Sequence, residues 1–194
     1  MQAMLAFSRA IDRVTTFVGK SVMWLILLAV LVSAGNAVVR KTFNYSSNAW
    51  LELQWYLFGA AFMLAAAYTL CQNEHVRVDV FYATRKRATQ HWIDLFGHVV
   101  FLLPFVVLMA WLLWPYTVQA FRNGDVSSNA GGLVIWPARA LIFAGFVLLS
   151  FQALSEIIKK VAVIMGLIED PHPTISAKEA AELEVAALLK DMQK

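Results

Sequence analysis

Charge is scarce in this chain of 194 residues. Asp, Glu, Lys and Arg make up 15% of it, against about 25% in soluble domains. Cysteine is nearly absent: Cys71 stands alone, cannot close an internal bridge, and excludes a disulfide-stapled secreted domain. No glycine-rich phosphate cradle, G-x-S-x-G elbow or H-E-x-x-H helix occurs, and no Ser, His or Asp stands in a nucleophile context, so no enzyme is expected. What abounds is apolar: 60% of the residues, with mean hydropathy +0.62. That excludes disorder, and a soluble globule of this size has no means of hiding so much apolar surface. A net charge of +3 does not argue for nucleic acid, because the basic residues sit between apolar runs, where they orient a membrane protein.

Four such runs cover residues 17–39, 50–71, 93–121 and 132–158. A bilayer core needs about 20 mostly apolar residues per helix, and the alternation of a barrel strand is missing. The expected fold is therefore an all-α membrane protein of four transmembrane helices, two hairpins in series. The third and fourth runs exceed the hydrocarbon thickness and should tilt or emerge from it. Nine Lys and Arg residues flank the N-terminal arm, the 72–92 connection and the end of the fourth run, against four around the other two connections. The positive-inside rule then places both termini in the cytoplasm. The first run resembles a signal peptide in its basic approach and its apolar core at 22–32, but no A-x-A site follows, and it is read as retained. Residues 166–194 form a separate tail. Pro171 and Pro173 end the fourth helix, and Ser176 to Glu179 make an S-x-x-E capping box before a short amphipathic helix. Its net acidity suits solvent or a protein partner better than anionic lipid.

Charges within membrane spans are functional hints, but nearly all of these lie near span ends, where side chains snorkel to water. Glu52 has two readings: a proton or cation site, or, more plainly, an ion pair with Arg40 closing the first hairpin. His75 and Asp79, like Asp94 and His98, are four apart and share a helix face. They could hold a metal; the plainer alternative is a cap in which Asp79 and Asp94 pair with Arg77, Arg85 or Lys86. His75 and His98 could also ligate a haem between helices. Gly59, Ala60, Ala61, Ala65, Ala66 and Ala67 offer a small-residue face for close helix contact, inside the chain or against another subunit. The connections at 44–48 and 123–132, the latter with Ser127, Ser128, Asn129, Gly131 and Gly132, are rich in turn formers and could be solvated turns or a docking surface.

Several elements recur in a family order. Asn36 and Arg40 form N-x-x-x-R, Trp50 and Glu52 form W-x-E, and His75, Arg77 and Asp79 belong to H-V-R-V-D. In this order they resemble the small, DctQ-like membrane subunit of tripartite ATP-independent periplasmic (TRAP) transporters, over residues 10–165. The stretch 127–137 is similar to that family's outer loop and the start of its fourth helix. The resemblance implies a non-catalytic inner-membrane subunit in a one-to-one complex with a large permease subunit, which carries the substrate and sodium sites. It also implies a periplasmic binding protein that captures an organic acid. The small subunit would act as a scaffold, with Arg40, Trp50, Glu52, His75, Arg77 and Asp79 as architectural residues. No cofactor is expected in this chain, though bound phospholipid would fit its contacts. The competing readings are a haem-binding membrane redox subunit and a stand-alone channel or exporter. The first would show a visible haem band, and the second would transport when reconstituted alone.

Overall fold

A computed structural model describes residues 1–45, 47–74 and 87–170. Four helices carry the described residues: α1 (Gln2–Phe43), α2 (Asn48–Cys71), α3 (Arg87–Asn123) and α4 (Trp136–Ile164). All four are long and apolar enough to cross a membrane. His75, Arg77, Asp79, the capping box and the tail helix expected beyond it lie outside the described residues.

The first helix is much longer than its apolar run. At 1.5 Å per residue its 42 residues reach roughly 63 Å, about twice the hydrocarbon thickness. Residues 2–16 are polar enough to fall outside a hydropathy window, yet they contain no Gly or Pro to stop a helix. Ser8, Thr15, Val22 and Ala29, with Ile11 between, are its buried residues. They recur at heptad spacing, the seam of a helix that packs along a neighbour for its whole length. Asn44, in the left-handed region at φ 49°, ends it, with Arg40 and Lys41 in the last turn, where the helix dipole favours cations.

The centre of the bundle is α4, which packs on α1, α2 and α3, while α1 also lies along α2. Its buried residues are small or polar: Gly145, Gln152, Ala153, Ser155, Glu156 and Ala162, with Ile158. Large apolar side chains point the other way. Phe17 and Trp111 are each 74% exposed, and Trp55 and Phe62 are close behind. This inversion is what lipid dictates: no hydrophobic force drives helices together there, so small residues allow close approach while bulky ones face the tails. At Gly145 a Cβ would stand 2.8 Å from Met63 Cβ and 3.1 Å from its carbonyl oxygen, so only glycine admits α2 there. A small core of Leu70, Val106 and Ala153, with Phe146 and Leu149 against it, joins α2, α3 and α4.

In α3 the backbone widens. Residues Gly97–Leu102 form a π segment, and the Leu103 N–H reaches His98 O, five residues back. Pro104 explains it, because its ring has no N–H to give and crowds the carbonyl four residues earlier. His98 Nδ1 lies 2.6 Å from Asp94 O and uses its N–H there. Before this segment the helix is turned polar side in: Gln90 and Asp94 are buried, while Trp92, Ile93 and Phe96 are exposed.

The helices and the expected runs differ at their ends. The third helix begins at Arg87 rather than at 93, and the fourth at Trp136 rather than at 132, continuing to Ile164. Residues 124–135 instead form a folded connection. Hydropathy sees Gly131, Gly132, Leu133 and Val134 as apolar and misses that their backbone turns.

Candidate functional site

The connection between α3 and α4 is built as a platform. Gly124, at φ 64°, ends α3 in the left-handed region. Val126 and Val134 then pair as an antiparallel bridge, supported by Ser127 N to Leu133 O at 2.9 Å and Ile135 N to Asp125 O at 2.9 Å. Between the bridged residues the chain turns back, with Gly132 N donating to Asn129 O at 3.0 Å.

One stripe of α2 holds this hairpin in place. Asn48, Glu52 and Tyr56 are four residues apart and share a face. The Asn48 amide donates to Ala130 O at 2.9 Å, and Tyr56 OH donates to Val134 O at 3.3 Å. Between them Glu52, only 5% exposed, accepts from Ser127 Oγ, from Asn129 Nδ2 at 2.8 Å and from Leu133 N at 2.6 Å. Three donors around one carboxylate make charge-assisted bonds, the stronger kind. Gly132 lets the carboxylate in: a Cβ there would lie 2.8 Å from Glu52 Oε1 and 2.6 Å from Ser127 Cβ. From the other side Arg139, in the first turn of α4, pairs with Asp125 at 3.4 Å. It also stacks 3.7 Å over the Tyr116 ring.

The expected Glu52–Arg40 pair is therefore corrected. Glu52 bonds to the α3–α4 connection, while Arg40 is exposed at the end of α1. Sequence spacing favoured the nearer cation, whereas packing brought a segment some 80 residues away onto the carboxylate. Of the other loop residues singled out, Ser127, Asn129 and Gly132 surround Glu52, while Ser128 and Gly131 are exposed at the tip. Trp50 is exposed and lines a groove of about 360 Å³ with Leu28, Leu31, Gly35, Asn36 and Val39. The small-residue face of α2 is divided. Ala60, Ala61 and Ala67 are buried inside the chain and Ala66 is half-buried, but Gly59 has nothing within 4 Å of a Cβ position.

The opposite end of the bundle carries a polar cluster that sequence reading passed over. Asp12 of α1 accepts from Ser155 Oγ at 2.9 Å and from Gln152 Nε2 at 2.8 Å, and pairs with Lys159 at 3.2 Å. Gln152 Nε2 also donates to Glu156 at 2.9 Å, and Glu156 pairs with Lys159 at 2.5 Å. Ser8 and Ser155 exchange a hydroxyl bond at 2.7 Å, and Cys71 Sγ approaches Asp12 at 3.7 Å. The available signal was the i, i+3, i+4 spacing of Gln152, Ser155 and Glu156 on an otherwise apolar helix. Nearby, Asp94 pairs with Lys160 at 3.0 Å; Arg77, Arg85 and Lys86, its expected partners, lie outside the described residues. His91 lies 3.8 Å from Asp170. The pairing of Asp79 and the joint placement of His75 with His98, for metal or haem, lie outside the described residues.

A family model for tripartite ATP-independent periplasmic transporters, DctQ component, matches residues 28–163. Searches of curated proteins and of solved structures find no match. The matched segment includes the Asn48–Glu52–Tyr56 stripe, the hairpin it holds and the Gln152–Lys159 side of the polar cluster. The chain belongs to the DctQ family, the small membrane component of TRAP transporters.

Proposed function

We propose that this protein is the non-catalytic scaffold subunit of a sodium-driven secondary transporter for organic acids. It stands one-to-one beside the large permease subunit and presents its α3–α4 hairpin to a periplasmic substrate-binding protein. Family membership implies association with a permease and a binding protein. The observation that carries the scaffold role is the stapling of residues 125–134 to α2 by Asn48, Glu52 and Tyr56. A held loop binds without an ordering cost, and this one exposes Ser128, Asn129, Ala130 and Gly131. In the proposed orientation both termini and the Asp12 cluster face the cytoplasm, and the hairpin faces the periplasm. Substrate and sodium belong to the large subunit.

The long apolar helices agree with this. In the most apolar stretch of α1 11% of residues are buried within the chain, and in α3 6%. Surface of that kind requires lipid or another subunit. Gly59, open to the outside, is where we place a helix of the permease, with phospholipid filling its edges.

Affinity purification of the tagged chain from its native membrane tests the proposal. A stoichiometric, much larger multi-helix protein is expected to accompany it, with no visible haem band. Recovery as a homo-oligomer that transports on its own would overturn the scaffold reading.

A further inference from the structure

The polar cluster has features that a structural tie does not need. The ligand atoms of Asp12, Cys71 and Glu156 all lie within 4.8 Å of one another, and Cys71 and Glu156 are buried. They come from three different helices. Two carboxylates share one ammonium, Lys159, so the cluster carries an excess of negative charge. Gln152 is 0% exposed, and among the described residues its Oε1 accepts no hydrogen bond, although Nε2 of the same amide donates to both carboxylates. A buried acceptor without a donor is costly, and it offers a lone pair beside the acidic pair.

We propose that this cluster is a site for a borderline-soft divalent cation of the Zn²⁺ type. The Asp12 and Glu156 carboxylates and the Cys71 thiolate supply its charged ligands, and Gln152 Oε1 is the neutral fourth donor. Lys159 is the resident cation that it displaces. A sulfur donor selects against Mg²⁺ and Ca²⁺, which take oxygen, and four mixed sulfur and oxygen donors match the coordination number of zinc. On binding, Cys71 gives its thiol proton to solvent and Lys159 leaves still protonated. It has somewhere to go: a cavity of about 500 Å³ opens beside it, with Glu169 among its lining residues. Metal and lysine thus compete for one position. Lys159 ties α1 to α4, and the metal would add α2 through Cys71, with directional bonds. This inference does not depend on the transporter reading.

The experiment is a CdCl₂ titration of the full-length chain in detergent, followed by the ultraviolet charge-transfer absorption of a cadmium–thiolate bond. Cys71 is the sole cysteine, so the chain reports on this site alone; if the permease accompanies it, Cys71→Ser supplies the baseline. One Cd²⁺ per chain is expected, with the band absent in Cys71→Ser, displaced by ZnCl₂ and untouched by MgCl₂. Lys159→Met, which removes the competitor and keeps every ligand, should bind more tightly by about tenfold or more, the scale on which neighbours of metal ligands act. Glu156→Gln retains the thiol and should bind more weakly, which keeps a handle on the site if Cys71→Ser does not assemble. Absence of the band in both wild type and Lys159→Met, its survival in Cys71→Ser, or unchanged affinity in Glu156→Gln would each overturn the site.

Discussion

Glu52 shows how far a single side chain reaches. It sits near the start of α2, yet what it holds is the backbone between α3 and α4. Glu52→Ala leaves the Leu133 N–H and the Asn129 amide without their acceptor. The expected result is cleavage at residues 128–131 by added protease, with helical circular dichroism unchanged; a loop as resistant as wild type would mean that Asn48 and Tyr56 suffice. Asp12 is the corresponding residue at the other end, where it gathers Ser155, Gln152 and Lys159. Asp12→Ala should lower thermal stability in detergent by about 1–3 kcal/mol, the usual cost of stranding buried partners. An unchanged melting temperature would show that Glu156 alone satisfies Lys159.

Helices here are legible from composition, but their seams are not. The α2 sequence is small and apolar through residues 59–67, and nothing local says which of those residues face inward. The structure answers through Gly145, whose missing Cβ admits Met63, and through Gly59, which faces nothing in the chain. The two glycines should therefore behave differently. Gly145→Leu overpacks the α2–α4 contact, which typically costs about 1–3 kcal/mol, and should lower the melting temperature of the isolated subunit. Gly59→Leu should leave that temperature alone and reduce co-purification of the permease; full recovery of the complex would move the interface elsewhere. The π segment of α3 belongs to this scale too. Pro104 marks it in sequence, but a proline alone does not distinguish a kink, a break or a widened turn.

Considered whole, the molecule has two polar ends joined by apolar helices, and the orientation proposed for it rests on its lysines and arginines. Cysteine labelling checks it directly. In a Cys71→Ser background, Ser128→Cys should react with a membrane-impermeant thiol reagent in intact cells, whereas Arg9→Cys should react only after permeabilisation. The reverse pattern would turn the hairpin to the cytoplasm and remove it from any periplasmic partner. A fixed hairpin at one end and a charged tie at the other suit the scaffold role proposed above.

Class, helix number and family were already decided by the order of residues. Four apolar runs admit few other folds, because a backbone in lipid must satisfy its own hydrogen bonds. The N-x-x-x-R and W-x-E elements lie in the segment that the family model matches. Tertiary structure alone decided the partners of the charges. Glu52 took Ser127, Asn129 and Leu133 rather than Arg40, and Asp94 took Lys160, from a helix more than sixty residues further along, as a partner. Asp12, Gln152, Glu156 and Lys159 became one cluster only when α1 lay along α4. The physical reason is the same in each case: hydropathy and helical period are local, while a charge leaving water takes whichever partner the packed helices bring within reach.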